Sequence, residues 1–196
     1  MNAELVSTNP HKLRELSALL PGWRLEPTRA AELPEETGAT FYENARAKAL
    51  FGRPLARSGF WAIGEDSGLE VDGLDGRPGI YSARFAGPGA GDEENVAKLL
   101  AELDGVAGTG RHARYVCELV AVSPELEELR GRGTLAGRIA EEARGSGGFG
   151  YDPVFVPARE ERTVAELGDA WKAKRSHRAA AAAELREAVG SALSER

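Results

Sequence analysis

Residues 113–122, ARYVCELVAV, place the tightest constraint on the fold. In an extended chain Tyr115, Cys117, Leu119 and Ala121 share one face, and Arg114, Val116, Glu118 and Val120 share the other. Such a run reads as a strand built into a sheet. Runs with helical spacing stand on both sides of it. Leu13, Leu16 and Leu20 predict an amphipathic helix over 10–20, opened by Asn9 as N-cap and Pro10, and ended by Pro21-Gly22. Thr40-Phe41-Tyr42-Glu43 has the form of a capping box and predicts a helix over 41–52. Asp92 caps a third, whose apolar face is Val96, Leu99, Leu100 and Leu103, and Ser176 caps a long alanine-rich one. Further strands are expected at 3–6, at 60–64 (ending at Glu65-Asp66-Ser67-Gly68) and at 128–139. Interspersed strands and helices predict an α/β fold with a mixed sheet.

Composition narrows the function classes. A chain of 196 residues suits one domain, 1–196, with two lobes. No apolar run approaches the ~20 residues that cross a bilayer, and MNAELVSTN lacks the pattern of a signal peptide, so a cytoplasmic protein without a membrane partner is expected. Cys117 is the only cysteine, which excludes an intrachain disulfide and reads as a small buried hydrophobe. His11, His112 and His177 show no zinc spacing. A net charge of -6 disfavours broad nucleic-acid binding, yet phosphates can still be held locally by a few basic side chains and a divalent cation.

Five segments carry candidate chemistry. Ser7-Thr8-Asn9-Pro10-His11-Lys12 joins a strand to a helix. Amides at a helix start, two hydroxyls and one ammonium suit a polyphosphate, although an ordinary capped helix explains the same residues. Glu35-Glu36 and Glu65-Asp66 supply carboxylates for a hard cation and for a base that orients water, against the plainer reading of solvated turns. Neighbours on a strand point to opposite faces, so Glu65 and Asp66 pair less well with each other than one of them does with Glu36. Asn44 and Lys48 share a helix face, either toward a cleft or toward solvent. Gly145 to Asp152 contains a formal GxGxxG, but Tyr151-Asp152-Pro153 follows where a dinucleotide fold would open a helix. A base site fits better, with Phe149 to stack and Asp152 to accept. With Ser176 as cap, His177 and Arg178 stand in the first turn of a helix, against the macrodipole, and together with Lys172 they offer donors to a keto oxygen.

In this order the segments STNPHKLREL, EETGATFYENARAKA, EDSGLEVDGLDGRPGIYSARFAG, GGFGYDPVFVP, AEL and SHR resemble the inosine/xanthosine triphosphate pyrophosphatase family, nearly end to end. The resemblance implies an elongated mixed sheet flanked by helices, two lobes around a central nucleotide-binding cleft, a homodimer and a requirement for Mg²⁺. It implies that Ser7, Thr8, Asn9, Pro10, His11 and Lys12 hold the triphosphate, with Lys48 near the phosphates. Asp66 would bind the metal and activate water, Glu36 would add a metal ligand and Ser67 would touch substrate. Phe149, Gly150, Tyr151, Asp152, Lys172, His177 and Arg178 would hold the base. The expected reaction releases pyrophosphate from purine nucleotides with the wrong base, such as ITP, dITP and XTP. Two other readings stand beside it: a pyrophosphatase for pyrimidine or modified nucleotides, and a sensor that binds without hydrolysis. Thr8 replaces a usual glycine, Pro10-His11 replaces small residues, and Glu65 stands where aspartate is frequent, which leaves its share in the metal site open.

Overall fold

The computed structural model of this chain describes residues 1–194. Its central strand, β3 (Trp61–Val71), runs unbroken through Glu65-Asp66-Ser67-Gly68, where the sequence predicts a stop. Turn-like composition gives way because Ile63, Leu69 and Val71 are fully buried and Glu65 and Asp66 each find charged partners. The other strands are β1 (Asn2–Val6), β2 (Arg24–Pro27), β4 (His112–Val122), β5 (Glu128–Ile139) and β6 (Phe155–Pro157). Their order in the sheet is β2-β1-β3-β4-β5-β6. β1 runs parallel to β2 and β3, whereas β5 and β6 are antiparallel, so the sheet is mixed as expected. The short strands β2 and β6 lack the length for a readable alternation, and sequence periodicity misses both.

The helices are α1 (Pro10–Leu19), α2 (Phe41–Gly52), α3 (Asp92–Glu102), α4 (Val164–Leu167), α5 (Asp169–Arg175) and α6 (His177–Ser194). Gly91, not Asp92, stands at the cap position of α3, and the Asp92 carboxylate instead accepts the Gly150 amide at 2.6 Å. No helix is long and apolar enough to cross a membrane among the described residues.

The chain forms two compact units. One comprises Met1–Asp66, Cys117–Gly133 and the residues from His177 onward; the other comprises Ser67–Val116 and Thr134–Ser176. Each has its own apolar core. In the first unit Leu5, Leu16, Leu20, Ile63, Leu119 and Leu185 pack together. In the second, Leu69, Leu99, Leu103, Ile139, Val154 and Phe155 do so. Two glycine positions bring elements of the first unit unusually close. A Cβ on Gly64 would overlap the backbone of Ala45 and Ala49, so α2 lies directly against β3. Gly133 does the same for α6, whose His177 and Ala181 backbone would collide with any side chain there.

Candidate functional site

The close seat of α2 on β3 sets up the first cluster. Before α2 the chain is fastened to the helix's first turn by three side chains. Thr40 Oγ1 accepts the Glu43 amide at 3.1 Å, the Glu43 carboxylate accepts the Ala39 amide at 2.6 Å, and Asn44 Oδ1 accepts the Gly38 amide at 2.8 Å. Half of the expected capping box is therefore present, with the glutamate reaching one residue further back. This fastening holds Glu36 beside Lys48, whose Nζ lies 2.5 Å from Glu36 Oε1 and 3.3 Å from Asp66 Oδ1, and donates to the Glu65 carbonyl at 3.0 Å. Burial pushes the Asp66 pKa up, and nearby Lys48 and Lys12 pull it down without cancelling that push. Burial likewise opposes the Lys48 ammonium, but Asp66 and Glu36 more than offset it and its pKa rises.

Glu65 and Asp66 point to opposite faces of β3, as strand alternation requires. On its own face Glu65 is fully buried, with Oε2 at 2.5 Å from Lys12 Nζ and Oε1 at 2.9 Å from Arg178 Nη2. Arg178 also reaches Glu15 at 2.5 Å. Burial works against the Glu65 carboxylate, yet Lys12 and Arg178 hold its pKa well below the usual carboxylate range. The Cys117 thiol lies 3.7 Å from Glu65, and burial beside that carboxylate raises its pKa strongly, which makes it inert as a nucleophile.

The first loop differs from its sequence expectation in one respect. Asn9 Oδ1 accepts the His11 and Lys12 amides at 2.9 and 3.3 Å, and the Asn9 amide donates to Ser7 Oγ at 3.1 Å. The helix-start amides invoked for an anion are thus already engaged, and Pro10 has none. Ser7, Thr8 and the Lys12 side chain are what this loop offers a phosphate. Thr8, Pro10 and His11 are exposed.

In the second unit, Phe149, Asp152 and Lys172 form a tight group. Asp152 Oδ2 accepts from Lys172 Nζ at 2.6 Å and from the Phe149 amide at 3.0 Å, and Oδ1 accepts from the Tyr115 hydroxyl at 3.3 Å. Lys172 Nζ lies 4.2 Å from the centre of the Phe149 ring. Gly148 has φ +76° and any Cβ there would strike Asp152, so the turn requires glycine. Tyr151 points into the core, its hydroxyl donating to the Ser82 carbonyl at 2.8 Å. Ser67 is half-buried on β3 in this unit, and His177 and Arg178 are buried in the first turn of α6 in the other.

Among the described residues no three His, Cys, Asp or Glu side chains converge on one point. Glu36 and Asp66 around Lys48 are two carboxylates facing one ammonium. Mg²⁺ takes oxygen ligands and is usually held by one or two carboxylates together with substrate phosphates, so this donor set fits it.

The model of the Ham1 family matches residues 4–188. The chain belongs to the Ham1 family. A dITP/XTP pyrophosphatase of Methylococcus capsulatus is 47% identical over 187 residues, covering 92% of each chain. A solved HAM1 protein from Coxiella burnetii is 35% identical with a TM-score of 0.82, covering 100% of both chains. A Ham1 structure from Staphylococcus aureus is 34% identical with a TM-score of 0.81, covering 100% of this chain and 99% of that one.

Two contributors to these Ham1 clusters escape sequence reasoning. Glu15 lies three residues beyond Lys12 on α1, a spacing that signals a shared face. Tyr115 is on the strand face read as core, and only its hydroxyl betrays a polar partner.

Proposed function

We propose that this chain hydrolyses purine nucleoside triphosphates with the wrong base, ITP, dITP and XTP, to the monophosphate and pyrophosphate. The observation that carries the reading is the buried Asp66 carboxylate, which shares Lys48 with Glu36 in a Ham1 chain 47% identical to a dITP/XTP pyrophosphatase. The phosphate end is assigned to Ser7, Thr8, Lys12 and Lys48. Asp66 takes the proton of a water that attacks the α-phosphorus, and the bond to the departing pyrophosphate breaks. A raised pKa makes Asp66 a stronger base than an ordinary aspartate. Lys48 and Lys12 stand by the charge that develops on the phosphate oxygens. Glu36 and Asp66 would hold Mg²⁺, which neutralises phosphate oxygens and polarises the phosphorus they surround.

The base end is assigned to Phe149 and Lys172. Phe149 stacks on the purine, and Lys172, with one side held by Asp152, donates to a keto oxygen. Asp152 contributes by fixing Lys172 and the Phe149 amide rather than by meeting the base. A site built to donate to the six-position oxygen leaves donors facing donors when adenine enters, and unpaired buried donors discriminate strongly. The proposal extends to a cytoplasmic homodimer, which follows from the family resemblance and which sedimentation and cell fractionation test.

The decisive assay measures pyrophosphate release from common and deaminated triphosphates, with and without Mg²⁺. Release from dITP and XTP ahead of ATP, only with a divalent cation, is expected. Tight binding without release would replace the enzyme with a sensor, and a preference for pyrimidines would replace the substrate class. Phe149→Ala is expected to weaken substrate binding, because stacking on an aromatic ring is worth ~1–3 kcal/mol per base. An unchanged KM for dITP would remove Phe149 from the base site.

A further inference from the structure

We propose that Asn44 is a positioning residue that sets Asp66 and the Glu36 segment in one register. The inference rests on the assignment of Asp66 and Glu36 above. Asn44 is 1% exposed in the first turn of α2, and its amide makes two contacts of opposite sense. Nδ2 donates to Asp66 Oδ2 at 3.1 Å, and Oδ1 accepts the Gly38 amide at 2.8 Å. A carboxylate can only accept and a backbone amide can only donate, so the two partners fix which way the side chain points. The donated bond occupies Oδ2 of Asp66 and leaves Oδ1 on the side of Lys48. The accepted bond pins Gly38, two residues after Glu36, whose carboxylate meets the same Lys48. One side chain thus ties the Asp66 carboxylate to the segment that carries Glu36.

Neither an aspartate, which cannot donate, nor an aliphatic residue, which can do neither, reproduces this. Removal of an outer partner of a metal-binding carboxylate typically costs 10–100-fold in affinity or activity. Burial of an asparagine in a helix start is otherwise costly unless both ends of its amide are engaged, and here both are.

The test compares Asn44→Ala and Asn44→Asp with Asp66→Asn. Asn44→Ala is expected to lower kcat about 10–100-fold and to raise the Mg²⁺ concentration for half-maximal activity, with the KM for dITP little changed. In the metal-free protein, amide hydrogen exchange at Gly38 is expected to speed up in Asn44→Ala. Asn44→Asp keeps the acceptor for Gly38 and loses the donor to Asp66, so Gly38 stays protected while kcat still falls. That split distinguishes positioning from a general loss of structure, and it remains readable if Asn44→Ala fails to fold. Wild-type kcat in Asn44→Asp, or unchanged Gly38 exchange in a folded Asn44→Ala, overturns the proposal. Near-normal turnover in Asp66→Asn instead sinks the parent assignment, and the Gly38 exchange then still reports on the Asn44 bond by itself.

Discussion

On one face of β3, Glu65 meets Lys12 and Arg178, and Glu15 closes the group; on the other, Asp66 and Glu36 share Lys48. The first group sets two carboxylates against two cations. The second sets two carboxylates against one, which leaves negative charge to spare. The pKa directions follow the same division. Lys12 and Arg178 overcome burial and hold Glu65 low, whereas burial prevails over the lysines at Asp66 and lifts it. A balanced group centred on the buried Glu65 and Arg178 organises side chains, Lys12 at its edge among them. An unbalanced one suits an added cation and a proton acceptor. This contrast takes Glu65 out of the proposed metal site, a place its sequence neighbourhood left open.

The largest effect that would break the contrast is catalytic. Asp66→Asn is expected to lower turnover about 10²–10⁴-fold, the usual worth of a positioned general base, with nucleotide binding intact. Next comes stability. Glu65→Gln takes from Arg178 its buried partner and leaves it only the partly exposed Glu15, and removal of one member of a buried ion pair costs up to about 3–5 kcal/mol. A denaturation midpoint unchanged in that variant would show that the first face is not a closed unit. Glu36→Gln should raise the Mg²⁺ requirement about 10-fold or more, with less effect on folding. An unaltered Mg²⁺ titration would move the cation elsewhere.

The smallest effect sharpens the contrast through its sign, in metal-free protein. The folded Glu65 pKa lies below its ordinary 4.5, so the stability it contributes is complete above about that pH and is lost as pH falls through the lower folded value. The folded Asp66 pKa lies above its ordinary 3.8, so folding favours the neutral form and the cost of ionising it grows as pH rises through the higher folded value. Relative to wild type, Asp66→Asn should therefore gain stability as pH rises above 3.8, while Glu65→Gln should lose it as pH rises toward 4.5. Equal slopes in urea titrations across acidic pH would erase the distinction.

Much of this was legible in the chain. The alternation at 113–122 marks β4, and Asn9-Pro10 marks the start of α1 to the residue. The ordered motifs placed the protein in its family, and alternation alone separated Glu65 from Asp66. Other features were hidden because they depend on partners distant in sequence. Nothing local says that Asn9 spends its oxygen on the amides an anion would use, since a cap and an anion cradle share one sequence. Nothing local says that Tyr151 turns inward to Ser82, 69 residues away, while Phe149 remains half-buried above Lys172.

The sequence by itself determined the periodicities, the caps and which residue types were available, because those depend on neighbours a few positions apart. Only the tertiary structure decided the charge balance on each face of β3. That balance depends on α1, α2 and α6 converging on one strand. Gly64 on β3 permits the close approach of α2, and Gly133 on β5 permits that of α6, by carrying no side chain at all.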